Sequence, residues 1–286
     1  MISTYTKDRW RDVLRCVESL RNQTFKPHEV ILVLDPIDEL VEFYKDLLSD
    51  YIKVVKSEGF GLSKARNKGI LESEGDIIAF IDDDAWADRF WLKRVIKNYL
   101  DENVYCVGGK IVPVFENGRP KWLSEELDWI VGCTYKGLPE KKSEVRNPIG
   151  ANMSFRREAF KIAGLFKEEV GRFGKKLLSG EEAEFAMRLK KVMPNAKIIY
   201  DPSAIVYHRV PKNRTKIRYA LKRAFYEGYS KAILAKEYSL NVESSYLKFL
   251  MYTLINKILK LKFIEVFGII SVVAFVGLGN LIGRIR

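Results

Sequence analysis

The feature that most restricts this chain is a series of short apolar runs separated by stretches with helical spacing. Val30-Ile-Leu-Val-Leu34 and Ile77-Ile-Ala-Phe-Ile81 carry no polar residue. Such runs suit strands buried on both faces. Between them, Trp10, Val13, Leu14, Val17 and Leu20 recur at helix spacing. The pattern predicts strands at 1–5, 29–34, 52–55 and 76–81, with helices at 9–22, 38–49, 62–73 and 88–100. Strands alternating with helices imply an α/β fold with a mainly parallel sheet covered on both sides. In such sheets ligands bind beyond the carboxyl ends of the strands. Asp35 follows one run directly, and Asp82, Asp83 and Asp84 follow another.

Residues 104–160 read as less regular, because Gly108-Gly109, Pro113, Gly118, Pro120, Gly137, Pro139 and Pro148 punctuate them. A short strand and a helix start are expected within 151–159, a helix over 180–191, and strands at 198–200 and 204–207. Glu181, Glu182 and Glu184 would open the 180–191 helix, where negative charge suits the helix dipole. Beyond about residue 211 the chain turns basic, and 266–282 carry no charge at all.

The net charge of +12 directs attention to anionic partners: phosphates, nucleic acid or a membrane surface. No nucleic-acid module is recognisable, so that class is set aside. Cys16, Cys106 and Cys133 form no paired spacing and point to a reducing compartment. Two histidines, His28 and His208, exclude a multi-histidine metal site. Residues 1–12 do not read as a secretory signal.

Three adjacent carboxylates repel one another unless a cation or hydrogen bonds offset their charge. A divalent ion shared between one or two carboxylates and a substrate diphosphate meets that need. An ordinary solvated loop after a strand is the competing reading of the run alone.

Context favours the first. The chain resembles the family-2 glycosyltransferases, which have the nucleotide-diphospho-sugar (GT-A) fold. The resemblance rests on Ile2-Ser-Thr-Tyr5, Val30 through Asp35, Gly61-Leu-Ser-Lys-Ala-Arg-Asn-Lys-Gly69 and Phe80-Ile-Asp-Asp-Asp84. It continues through Gly150-Ala-Asn-Met-Ser-Phe-Arg156, Gly180-Glu-Glu-Ala-Glu-Phe185 and Tyr200-Asp-Pro-Ser-Ala-Ile-Val-Tyr-His208. Arg223 through Ala232 further resembles the tail of archaeal and bacterial members that act on polyprenyl- or dolichyl-linked sugars.

The resemblance implies a catalytic domain over 1–210, with a nucleotide-sugar half (1–100) and an acceptor half (101–210). It implies a UDP-sugar or other NDP-sugar donor and a divalent cation, Mg2+ or Mn2+. Asp35 would bind the base, and Thr4 and Tyr5 would line base and ribose. Arg66 and Asn67 would lie near the ribose or diphosphate. Asp82 would contact the ribose or sugar, with Asp83 counted beside it, and Asp84 would hold the metal with His208 in reach. Pro36 and Ile37 stand where the family usually has a further acidic or polar pair. Glu181 and Glu182 match the family's second acidic pair, with Glu182 as general base. The reaction would be inverting, with a hydroxyl of a lipid-linked or cell-surface saccharide as acceptor. A polyprenyl-phosphate monosaccharide synthase is the alternative within the class, and an inactive membrane-anchored scaffold the alternative outside it.

Arg156, Arg157, Arg172, Lys175 and Lys176 suit either an acceptor-phosphate clamp or a solvated face. Trp122 and Trp129 suit sugar stacking, lipid contact or core packing. The basic segment 211–245, followed by apolar 246–286, reads as membrane attachment at the cytoplasmic face. Residues 246–263 suit an interfacial helix, and 264–283 either span the membrane or lie buried. The same helices offer a surface to a second copy or a membrane partner.

Overall fold

The structure, a computed structural model, describes residues 1–48, 52–169, 178–238 and 242–285. Arg172, Lys175 and Lys176 lie outside them. By its internal packing the chain divides into two compact units. The first comprises Met1–Val112, Pro139–Gly174 and Glu181–His208; the second comprises Pro113–Leu138, Lys175–Gly180 and Arg209–Arg286.

The first unit opens with the expected alternation: β1 (Ile2–Thr4), α1 (Trp10–Arg21), β2 (Ile31–Leu34), α2 (Asp38–Leu47), β3 (Lys53–Lys56), α3 (Leu62–Glu72) and β4 (Ile77–Ile81). Strands β1, β2 and β3 pair in parallel. Beside them, Met1 bonds to both Ala79 and Ile81 of β4, in the pattern of a parallel pair. The amphipathic helices close over this layer, burying Val13, Val17, Leu32, Leu34 and Tyr44.

From β4 onward the expectation of a mainly parallel sheet fails. β5 (Ala85–Ala87) follows at once, then α4 (Trp91–Asn98), β6 (Val104–Phe115), β7 (Ser143–Glu144), β8 (Asn152–Arg156), α5 (Arg157–Ala163), α6 (Glu181–Val192) and β9 (Lys197–Val210). A second sheet runs in the order β4-β8-β6-β9-β5, with β7 on β9. The pairs β4–β8, β6–β8, β5–β9 and β7–β9 are antiparallel. The fold is therefore mixed. A buried apolar run records that both faces are covered, and it does not record strand direction.

Glycine explains the missed strand β6. A Cβ on Gly109 would lie 2.1 Å from the Ala204 carbonyl oxygen and 2.5 Å from Asn152 Nδ2. Gly109, which reads as loop punctuation, thus sits in a strand where neighbouring atoms leave no room for a side chain. Residues 198–200 and 204–207 likewise belong to the single strand β9. A second core, with Phe80, Phe155, Phe160, Phe166 and Phe185, joins β4 and β8 to α5 and α6. Phe155 and Phe185 meet edge to face at 5.0 Å. That contact seats α6 one turn beyond its two leading glutamates.

The second unit is built on α7 (Ile217–Leu234), α8 (Val242–Leu259) and α9 (Phe263–Ile285), with a 3-10 segment at Glu125–Val131. α9 is long and apolar enough to cross a membrane. Both tryptophans in question belong here. Arg223 lies over the Trp129 ring at 6.0 Å. A Cβ on Gly268 would stand 2.3 Å from the Trp122 carbonyl oxygen.

Candidate active site

The acidic run is a turn between two strands, β4 and β5, that pair with different partners. Ala85 N–H donates to the Asp82 carbonyl (3.1 Å), so Asp82, Asp83 and Asp84 reverse the chain between β4 and β5. Antiparallel pairing then sets Ala85 opposite His208 on β9. His208 Nε2 consequently lies 3.1 Å from Asp84 Oδ1, with both side chains 2% exposed. Ligand atoms of Asp82, Asp84 and His208 come within 4.8 Å of one another. Two carboxylates and one imidazole suit Mg2+ or Mn2+ when substrate oxygens complete the shell.

The three aspartates divide the work unequally. Asp82 is partly exposed, whereas Asp83 and Asp84 are buried. Thr4 Oγ1 donates to Asp83 Oδ2 (2.6 Å), and Arg9 Nη1 donates to Asp83 Oδ1 (2.6 Å). Arg9 Nη1 also sits 3.3 Å from Asp84 Oδ2. Burial, then the neighbouring Asp84 charge, push the Asp83 carboxyl above the usual range, against the pull of Arg9 and Thr4. Burial alone would lower Arg9, yet Asp83 and Asp84 outweigh it and hold the guanidinium above its ordinary value. Thr4 and Asp83, both expected against the donor, bond to each other, and Asp83 also accepts from Arg9. One buried arginine faces two buried carboxylates, with a third beside them, so negative charge remains in excess. That excess is the second reason a cation fits.

Arg9 is a site residue that sequence reasoning did not single out. It precedes α1, where no spacing or motif marks it, and its carboxylate partners are more than seventy residues away. Tyr5 is 58% exposed, with the Arg9 guanidinium 5.2 Å from its ring and Arg9 Nη2 donating to its hydroxyl at 3.4 Å.

The second acidic pair reaches the same place through Arg66. This side chain, 4% exposed, donates from Nη1 to Glu181 Oε1 (2.9 Å) and places Nη2 3.9 Å from Asp82 Oδ1. Its guanidinium also reaches the Gly150 carbonyl at 3.4 Å and lies 5.9 Å from the Phe166 ring. A Cβ on Gly150 would meet Arg66 Nη2 at 2.8 Å, so the glycine of that motif clears room for the guanidinium. Glu181 is buried, and among the described residues its Oε2 has no hydrogen-bond partner. Glu182, next along the first turn of α6, is half-buried.

Asn67, Arg156 and Arg157 all bond within the protein. Asn67 gives its carboxamide to one backbone: Nδ2 donates to the Phe166 carbonyl (2.9 Å), and Phe166 N–H donates to Oδ1 (3.0 Å). It ties α3 to the segment after α5, so its polar atoms are used within the protein. Arg156 donates to the carbonyls of Val104, Tyr99 and Asp101, and Arg157 to Gly75 and Ser73. Both guanidiniums are thus engaged by oxygen atoms of the protein itself. Asp35 stays half-buried at the end of β2; burial raises its carboxyl, and the Gly61 backbone N–H opposes that shift. Gly61 has φ 115°, a conformation that favours glycine.

Asn152, quoted in a motif but given no role from sequence, is the hub of this region. Its Oδ1 accepts from Trp91 Nε1 (2.8 Å), and its Nδ2 donates to the carbonyls of Lys110 (3.0 Å) and Ala204 (2.9 Å). One buried amide fixes α4, β6 and β9, four residues before His208.

A strand-end acidic turn, a cation-sized cluster completed from a distant strand and a second acidic pair bridged to it by arginine define an enzyme of the sugar-transfer class. The chain belongs to glycosyl transferase family 2, whose model matches residues 1–162. It is 33% identical over 257 residues to the glucosyl-dolichyl phosphate glucuronosyltransferase of Haloferax volcanii, covering 88% of this chain and 82% of that one. It is 26% identical over 243 residues to the succinoglycan biosynthesis protein ExoM of Rhizobium meliloti, covering 82% and 74%. Among solved structures, the mannosyltransferase PcManGT from Pyrobaculum calidifontis, in complex with GDP-Man and Mn2+, has a TM-score of 0.61 at 16% identity. That match covers 98% of this chain and 85% of the other. It establishes the GT-A-like fold.

Proposed function

We propose that this glycosyltransferase moves a hexose or hexuronic acid from a UDP-sugar, or another NDP-sugar, to a hydroxyl of a lipid-linked saccharide at the cytoplasmic face of a membrane. The observation that carries the reading is the convergence of Asp82, Asp84 and His208 beside the Arg66–Glu181 pair. The 33% identity to a glucuronosyltransferase acting on a glucosylated dolichyl phosphate supports the hexuronic donor and the lipid-linked acceptor.

In this reading Asp35 orients the base and Asp82 the ribose or sugar. Asp84 and His208 hold a divalent cation, which when bound offsets diphosphate charge as a Lewis acid. Arg66 holds Glu181 by a charge-assisted hydrogen bond and fixes the start of α6. Glu182 then removes the acceptor proton as that oxygen attacks the anomeric carbon. The new C–O bond forms on the face opposite the departing nucleotide diphosphate, so the anomeric centre inverts.

The test is turnover of a panel of UDP- and GDP-sugars with and without Mn2+, followed by Glu182→Gln with the active donor. Loss of the base is expected to lower kcat by roughly a hundredfold or more. Full activity in Glu182→Gln would assign a phosphate acceptor, which needs no base. Failure of every donor to react would remove the enzymatic reading.

A further inference from the structure

Which way α9 meets the membrane is decided by what lies against it. α7 and α9 run side by side in the same direction with their backbones nearly touching. A Cβ on Gly228 would fall 1.9 Å from the Val276 carbonyl oxygen, one on Gly279 1.9 Å from that of Phe225, and one on Gly283 2.9 Å from that of Tyr229. On α7, Ala220, Ala224, Gly228 and Ala232 repeat every four residues, and all are buried. Small residues at this spacing let helices approach closely. The C-terminal half of α9 is thus joined lengthwise to α7.

At the same level α7 carries ions. Arg223 Nη1 pairs with Glu227 Oε2 at 2.9 Å, and Lys231 lies 3.5 Å from Glu227 Oε1. Ser179 Oγ donates to Glu227 Oε2 at 2.9 Å. Lys222 is exposed. If α9 crossed a bilayer, these groups would be drawn to hydrocarbon depth, where ionised side chains are costly.

Among the described residues, the opposite side of α9 has no such cover. Ile264, Phe267, Ile270, Leu278, Leu281 and Ile285 form an exposed stripe at helical spacing. α8 presents its own, with Leu247, Met251, Ile255 and Leu259. Exposed cations accompany both: Lys216, Arg218 and Lys222 near the start of α7, and Lys248, Lys260 and Lys262 on α8 and the α8–α9 turn.

We infer that α9 does not span the bilayer but lies in the interface of an anionic membrane. Its α7 face is sealed by glycine and alanine, and its outer stripe is sunk among the acyl chains. The inference rests on the membrane association proposed above and specifies its mode. The occupant is an anionic phospholipid surface, because a deep apolar stripe accompanied by exposed lysine and arginine is the pattern such a surface attracts.

The native cysteines, Cys16, Cys106 and Cys133, are buried. Single additions therefore report cleanly in the full chain. Lys262→Cys and Arg284→Cys are expected to react with an impermeant maleimide from the same face of sealed membrane vesicles prepared from expressing cells. Reaction from opposite faces would establish a span and overturn the inference. Leu278→Asp and Leu281→Asp, both at exposed positions, should each weaken sedimentation with phosphatidylcholine–phosphatidylglycerol vesicles by roughly tenfold or more. Unchanged sedimentation would refute the stripe. A stable dimer that ignores vesicles would assign the face to a second copy instead. Turnover with a water-soluble acceptor analogue, followed in parallel, should be unaffected in all four variants, so failure here is separable from failure of the catalytic reading.

Discussion

Two ion-pair clusters in this chain, one buried and one partly buried, use carboxylates and arginine to opposite ends. In the first unit Asp83 and Asp84 are buried against one arginine, Arg9, with Asp82 beside them. In the second, one carboxylate, Glu227, receives Arg223, Lys231 and Ser179. The first leaves negative charge in excess and can take a cation. The second sets two cations against one carboxylate, has no negative excess, and ties α7 to Ser179. Ion pairing is common to both, and the ratio of charges separates a site from a staple.

The comparison can be broken most decisively at the turn. Asp84→Asn, which keeps the shape and removes the charge, is expected to lower kcat by roughly a hundred- to a thousandfold with little change in melting temperature. Activity within a few-fold of the parent would show that the excess charge is not catalytic. At the staple the effect should be reversed. Glu227→Ala leaves Arg223 without its carboxylate and should cost about 3–5 kcal/mol in denaturant unfolding, with turnover per folded molecule retained.

The staple also has a pH signature. Burial would raise the Glu227 carboxyl, but Arg223, Lys231 and Ser179 outweigh it and bring it down to about 2. A carboxyl lowered on folding stabilises the protein above its unfolded value and loses that contribution as pH falls towards its folded one. Stability should therefore decline from about pH 4.5 down to about pH 2, and Glu227→Gln should flatten that slope. An equal slope in the variant would place the acid sensitivity elsewhere. The smallest effect is expected outside both clusters. Arg15 lies 3.2 Å from the centroid of Trp86, which stacks on Tyr207 across the β5–β9 pair. Arg15→Ala should cost about 0.5–1 kcal/mol in thermal unfolding and leave catalysis intact.

What could be read from the sequence was local. Asp35 and the acidic turn stand at strand ends because the strands before them are uninterrupted apolar runs. The glutamate pair opens a helix, where charge and dipole agree. What could not be read was long-range. Nothing in the residues around His208 states that β9 pairs with β5, the pairing that brings the imidazole to Asp84; only the family resemblance put His208 in reach of that carboxylate. Arg9 was hidden for the same reason. The partners of Asn67 and Thr4 were hidden too, because nothing local tells a polar residue that bonds within the fold from one that faces a ligand. Asn152 shows the converse, an amide whose partners lie on three separate elements.

The β5–β9 pairing has a consequence for how this enzyme is made. Its acidic turn is translated early, and the imidazole that joins it arrives only with the last strand of the catalytic unit. A chain halted on the ribosome before residue 208 carries three aspartates and an arginine but not the complete ligand set. Completion of the cation site and completion of the sheet are one event, so an unfinished chain has no finished site with which to capture a donor.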